Sequence, residues 1–409
     1  MLKKILLALF GVVSLFAVAI GGVGLVYAKP LIITGQNVAE VFEEPEYAEG
    51  LDTADAVLDY LAKHPEAFTL VFYSIGEGGQ PIDPFSYRGE EPKTLASTMK
   101  IVVLAAYARE VVAGRLDPDA PVSIREWERW YLHGTDGAAH PGAMKELGIE
   151  LDDSGIAVED AKLALDDVAR AMIRFSDNAA TDVMVDRLGP EALRETAERL
   201  GLRGQEPIRP ILGAFLALSN HDVPRTTDAL TDELMALSPS DLAKREAGLI
   251  AKYATDWGDA ERAFRAGGPM QSKIRNQMKL ANLMPAGSAT DYASIQARVA
   301  TDTLIDAEVS AIMRRHLEWP MENAGPRQKF HAMGTKGGAL AGVLTEATYY
   351  APKTGDFAGK KRVVALFMND MSLMPWVQLM QTFAGQNFML EVATDRAFAA
   401  RVAQTLGAP

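Results

Sequence analysis

The chain contains no cysteine. Disulfides, thiolate metal sites and cysteine nucleophiles are therefore excluded. Histidine is scarce, with six scattered residues: His64, His133, His140, His221, His316 and His331. None falls at His-Glu-x-x-His spacing, so each reads as a surface or packing residue rather than a zinc ligand. No metal or other cofactor is expected. Positive charge is also in deficit, and the net charge is −13. A phosphate polyanion would be repelled overall, so nucleic acid is not an expected partner. No Walker-type glycine loop occurs.

Apolar residues are plentiful. At 409 residues and 48% hydrophobic, the chain can bury a sizeable core, as one large domain or two lobes. Lys3 and Lys4 precede an uncharged run from Ile5 to Ala28. Positive charge before a long apolar run directs a chain to export. The run is long enough for an uncleaved anchor, while "VYA" before Lys29 would suit a cleaved signal. Both readings place the rest of the chain outside the cytoplasm, at a membrane or secreted. Residues 29–50 read as an acidic tether, and residues 51–409 as the working domain.

A helix is expected over about Leu51–Ala62, capped by Asp52 or Thr53. "FTLVFYS" (68–74) reads as a strand, with a second near 82–89. Helical patterns dominate from about 95 to 200, beginning with "MKIVVLAAYAREVVAGRL", apolar on most faces as a central buried helix would be. Residues 216–280 read as a charged helical insertion. "SATDYASIQARVA" (288–300) opens with a good helix cap. The stretches 341–351 and 361–369 are β-like, with "PKTGDFAGK" between them as a hairpin connection. One long helix, about 386–405, is expected to close the chain. Strands at both ends with helices between them give an α/β (α+β) architecture: a sheet lobe built from both termini and an all-helical middle lobe.

Three short motifs carry chemistry. "ASTMK" puts Ser97 and Lys100 one helical turn apart, on the same face. The first-turn N–H of Ser97 lacks a helical partner and could bind an oxyanion. A lysine buried behind it can lose its proton and act as a base. Ser-x-x-Lys also arises by chance about once in a chain this long. "SDN" at Ser176, Asp177 and Asn178 offers a second hydroxyl and an amide, or simply a helix N-cap; both can hold. "MGTKGGALAGV" supplies Lys336 before Gly337 and Gly338, where the backbone can approach a substrate closely. A surface turn lysine is the alternative.

Together and in this order, the motifs resemble the active-site set of the penicillin-recognising serine hydrolases, most of all class A β-lactamases. The resemblance covers roughly residues 50–405, apart from some of 216–280. It implies a β-lactamase/D,D-peptidase-like fold. It also implies roles: Ser97 as acylated nucleophile, Lys100 as its base, Ser176 as proton relay, Asn178 as a contact for the substrate amide. Lys336 would support Ser176 and the substrate carboxylate. The N–H groups of Ser97 and Ala339 would form the oxyanion hole, beside Gly337 and Gly338. Lys353, in the literal "KTG", falls in the connecting hairpin, and a strand of about 17 residues would separate it from Lys336 by tens of Å.

The sequence departs from this family in three places. "GLRGQEPIRPILGAF" offers Glu206-Pro207 where a water-activating glutamate is expected, but Pro210 stands in place of the asparagine. Glu206 is either the deacylation base or a solvated loop acid, the second being preferred. The spacings between motifs are long, partly through "WYLHGTDGAAHPGAMKE". Gly337 replaces a hydroxyl residue. The expected function is a β-lactamase-like serine hydrolase acting on a β-lactam or related amide. A cell-wall D,D-peptidase acting on peptidoglycan, an esterase, or an idle membrane-anchored sensor are the alternatives.

Overall fold

The computed structural model describes residues 50–152, 155–224, 227–266 and 273–407. The apolar run 5–28 and all of the tether except Gly50 lie outside them. Five antiparallel strands form the main sheet: β1 (Phe68–Ile75), β2 (Pro81–Tyr87), β3 (Phe330–Leu340), β4 (Val343–Pro352) and β5 (Lys361–Met368). Their order is β2-β1-β5-β4-β3, so the last strand in the chain pairs with the first, and β3 is an edge strand. β1 is buried on both faces, which explains its continuous apolar run.

Eight helices matter for the site. They are α1 (Ala54–Lys63), α2 (Lys100–Val112), α3 (Asn178–Leu200), α4 (Ile211–Leu218), α5 (Ala289–Ala300), α6 (Leu373–Thr382), α7 (Ala384–Thr394) and α8 (Arg396–Gly407). Val71, Tyr73, Val363, Ala365 and Phe367 face one core, which they share with α2 and α5. Leu70, Phe72, Val364, Leu366 and Met368 face the other, shared with α1, α7 and α8. The sheet is thus a layer between two sets of helices. Residues 101–108 of α2 are fully buried, as its all-round apolar pattern requires. Thr53 caps α1 by accepting the Ala56 N–H, and Ser288 caps α5 in the same way through Asp291.

Several sequence expectations need amendment. The closing helix is two helices, broken at Asp395, whose side chain accepts the Phe398 N–H and restarts the chain as α8. Helix α6 was not anticipated. The stretch of about 17 residues from Lys336 to Lys353 is not one strand but belongs to two, folded at Ala341-Gly342, with Leu340 opposite Val343. Gly342 has φ +73, a conformation that L side chains rarely adopt. Two short antiparallel ribbons, 92–94 with 286–288 and 121–123 with 162–164, accompany the helical lobe. Within 216–280 the described residues form further helices, including Pro239–Tyr253 and Asp256–Ala266.

Candidate active site

Ser97 sits in a single 3-10 turn, Ala96–Met99, that runs directly into α2. Ala96 adopts φ +47, a sparsely populated conformation for a residue with a Cβ. Lys100, one turn on, is fully buried. Its Nζ donates to the Ser176 carbonyl at 2.6 Å, to Asn178 Oδ1 at 2.8 Å and to Ser176 Oγ at 3.3 Å. Burial pushes the Lys100 pKa down to about 8, against the opposing pull of Asp177, Asp182 and Asp136. Much of its population is therefore neutral in mildly alkaline solution.

Ser176 also lies in the left-handed region, at φ +63. That turn presents both its carbonyl and its hydroxyl to Lys100. Strained conformations of this kind persist only where the surroundings enforce them, and they cluster at functional sites. Asp177 supplies the enforcement. One carboxylate oxygen accepts the Ala180 N–H at 3.0 Å and caps α3; the other meets His140 Nδ1 at 2.8 Å. Capping and chemistry thus share the Ser-Asp-Asn motif. Asp182, one turn into α3, accepts the N–H groups of Ile211 and Leu212, each at 2.7 Å, and so fixes the start of α4.

Lys336 reaches the same hydroxyl from the sheet. It is 4% exposed, and its Nζ donates to Ser176 Oγ at 3.0 Å and to the Gly337 carbonyl at 2.6 Å. Burial holds its pKa well below the ordinary lysine value; Lys100 adds to that effect and Glu346 opposes it. Two lysines on one hydroxyl repel each other when both are charged, so this cluster favours a neutral amine or an arriving anion.

Edge strand β3 passes very close to the Ala96–Met99 turn. A Cβ on Gly338 would lie 2.5 Å from the Ser97 nitrogen and 2.8 Å from both the Leu95 oxygen and the Thr98 nitrogen. Only glycine allows this approach. Ser97, Ser176, Asn178, Gly337, Gly338 and Ala339 all line one cavity of about 620 Å³. Lys100 and Lys336 are buried against it, bonded to Ser176.

Lys353, expected outside the site, and Glu206, the possible deacylation base, both lie away from the cavity. Lys353 is exposed and bonds to the Arg327 carbonyl. The fold at Gly342 brings it nearer to Lys336 than the expected unbroken strand of about 17 residues would. Lys336 pairs with Ala347 in β4, and Lys353 follows the end of that strand, so about six residues of strand, roughly 20 Å, intervene. Glu206 is exposed, pairs with Ala286 through both backbone and side chain, and is not among the cavity residues. Ile211 and Phe215 line the cavity from that side instead.

One contribution escaped the sequence reading. The segment Gly134–Gly137 enters the cavity, bringing Asp136. Asp136 accepts the Ala138 and His140 N–H groups at 3.1 and 2.9 Å, and burial raises its pKa. The extra length of "WYLHGTDGAAHPGAMKE" was the available signal. His140 proves to be a packing histidine, stacked on Tyr131 with ring centroids 4.2 Å apart. The lining carboxylates are Asp136 and Glu346.

Solved structures similar to the chain include a β-lactamase from Sphaerobacter thermophilus, at 18% identity and TM-score 0.48, covering 88% of this chain and 99% of that one. A β-lactamase from Chitinophaga pinensis is similar at 11% identity and TM-score 0.47, covering 81% and 98%. A PBP-A mutant, solved as an acyl-enzyme complex with penicillin G, is similar at 14% identity and TM-score 0.45, covering 81% and 95%. No curated protein sequence matches the chain. The sequence does match the family described as Beta-lactamase enzyme family across residues 52–370. That span is most of the chain and includes all three motifs, and this protein belongs to the Beta-lactamase enzyme family.

Proposed function

We propose that this protein is a serine acyl-hydrolase that forms an acyl-enzyme on Ser97 from a β-lactam or a related amide or ester. The observation that carries this reading is the convergence of Lys100 and Lys336 on Ser176 Oγ, at 3.3 and 3.0 Å, beside Ser97 in one cavity. Neutral Lys100 takes the proton of Ser97 Oγ as that oxygen bonds to the carbonyl carbon. The N–H groups of Ser97 and Ala339 hold the developing oxyanion. As the carbon–nitrogen bond breaks, Ser176 gives its proton to the leaving nitrogen and is reprotonated from Lys100. Lys336 holds Ser176 and a substrate carboxylate. Asn178 contacts the substrate amide. The lysine-led apolar run 5–28 supports an extracytoplasmic site of action, with small molecules or cell-wall peptides as substrates.

A labelled penicillin tests the reading. A one-to-one adduct on Ser97 is expected, formed roughly tenfold faster per pH unit up to about pH 8 as Lys100 becomes neutral. An adduct elsewhere would sink the assignment, and none would mark a non-penicillin hydrolase or a binder. Release of the label then separates two activities. Rapid turnover marks a β-lactamase. A persistent adduct marks a D,D-peptidase-like enzyme or a sensor, and slow release is favoured by the apolar Ile211 and Phe215 on the side where the family's water-activating glutamate is expected.

Glu206 bears directly on this. Because its carboxylate is exposed and bonded to the Ala286 N–H, Glu206→Gln should acylate and release label at the wild-type rates. A normal burst with a collapsed steady rate in pre-steady-state assays would restore it as the deacylation base.

A further inference from the structure

The cavity does not stop at Ser97. It continues past edge strand β3 to the opposite face of the sheet, under α6 and α7. The register shows how. Gly337 pairs with Glu346 and Ala339 with Leu344, which in turn pair with Leu366 and Met368. These residues share one face of the sheet, opposite to that of Lys336. Where most strands carry bulk, β3 presents a glycine and an alanine, and this leaves a passage over the edge.

Beyond the edge, the lining is apolar and pliable: Leu344, Met368, Trp376, Met380, Phe383 and Met389. Unbranched methionines adapt to a flexible chain. Met380 is 43% exposed and Phe383 62% exposed. Phe383 joins α6 to α7 at φ +55, a costly conformation for an aromatic residue. Among the described residues, the only carboxylate on this path is Glu346. Its oxygens already accept from Thr335 Oγ1 at 2.8 Å, Thr348 Oγ1 at 3.1 Å and Gln386 Nε2 at 2.9 Å. It demands nothing from a passing chain, and it repels an anionic one.

We infer that this arm of the cavity binds a neutral, unbranched acyl chain of an ester or amide whose carbonyl is presented to Ser97. The occupant follows from continuity. A group in the arm is connected, over Gly337 and Ala339, to the carbon that Ser97 attacks. The inference rests on the reading of Ser97 as nucleophile and adds the substrate class.

The test is hydrolysis of p-nitrophenyl esters from acetyl to dodecanoyl by the full chain. Each methylene buried gains roughly fourfold, so kcat/KM should climb at least about tenfold from acetyl to decanoyl. The decanoyl-to-acetyl ratio should fall at least about fivefold in the Met380→Gln, Phe383→Asn double variant. Both positions are exposed, and asparagine tolerates positive φ. A flat series, or a preference that the double variant leaves intact, overturns the inference. Wild-type ester turnover by Ser97→Ala would instead overturn the nucleophile. The arm is then judged by equilibrium binding of a neutral dansyl decylamide to Ser97→Ala. Binding weakened at least fivefold by the double variant supports the inference, and absent or variant-insensitive binding overturns it.

Discussion

Lys336→Ala should lower the rate of Ser97 acylation by about two to four orders of magnitude, whereas Lys353→Ala should change stability by no more than about 0.5 kcal/mol and leave acylation as it was. Both lysines stand near glycines, and Lys353 has the tidier motif. Their surroundings differ completely. Lys336 is 4% exposed, with its Nζ 3.0 Å from Ser176 Oγ. Removing it leaves Ser176 without one of its two donors and the cavity without the cation that would meet a substrate carboxylate. Lys353 is exposed beyond the end of β4. Its loss frees one carbonyl, that of Arg327, to bond water instead. Thermal unfolding of each variant separates lost chemistry from lost fold. The reverse ranking would show that the edge strand has been assigned to the wrong motif.

Gly338→Ala should be nearly as damaging, although it adds a single carbon. The new Cβ would sit 2.5 Å from the Ser97 nitrogen and 2.8 Å from the Leu95 oxygen and Thr98 nitrogen. All three are backbone atoms and cannot rotate away. Either β3 or the nucleophile turn must shift, and a misplacement of about 1 Å costs roughly a hundredfold in rate. Overpacking of this kind also costs about 1–3 kcal/mol. Gly337→Ala makes the comparison sharp. Its Cβ would meet nothing closer than the Thr345 oxygen at 3.5 Å, so its stability should fall by about 0.5 kcal/mol or less. Acylation kinetics and thermal melts of the pair check both statements. Wild-type acylation by Gly338→Ala would mean that the strand and the nucleophile turn are not held in register as described.

Local signals carried much of the fold. The apolar run of β1, the all-round apolar pattern of α2 and the caps at Thr53 and Ser288 were all legible, because each depends on residues close in the chain. The failures came at a cap and a turn lying inside otherwise periodic stretches. Residues 386–405 have the pattern of one helix, but Asp395 turns its carboxylate to the Phe398 N–H and splits it. The turn at Gly342 was hidden inside an apparently continuous strand. Its two-residue hairpin became visible only once β3 and β4 were paired.

The candidate site divides along the same line. By itself, the sequence set Ser97 and Lys100 one turn apart, since helical spacing is a local property. It also placed Ser-Asp-Asn at a helix start, where Asp177 caps α3. It named Lys336 through the glycines that follow. Only the tertiary structure decided that Lys100 from α2 and Lys336 from β3 approach one hydroxyl. Those contacts join residues 76 and 160 positions apart, and no local pattern encodes such a distance. Packing likewise decided that Glu206 stays outside, that Asp136 enters, and that Gly337 and Gly338 face opposite sides of β3. The physical reason is that side-chain direction in a strand alternates with every residue. Which face meets the nucleophile, and which opens under α6 and α7, is fixed only when the strand finds its register in the sheet.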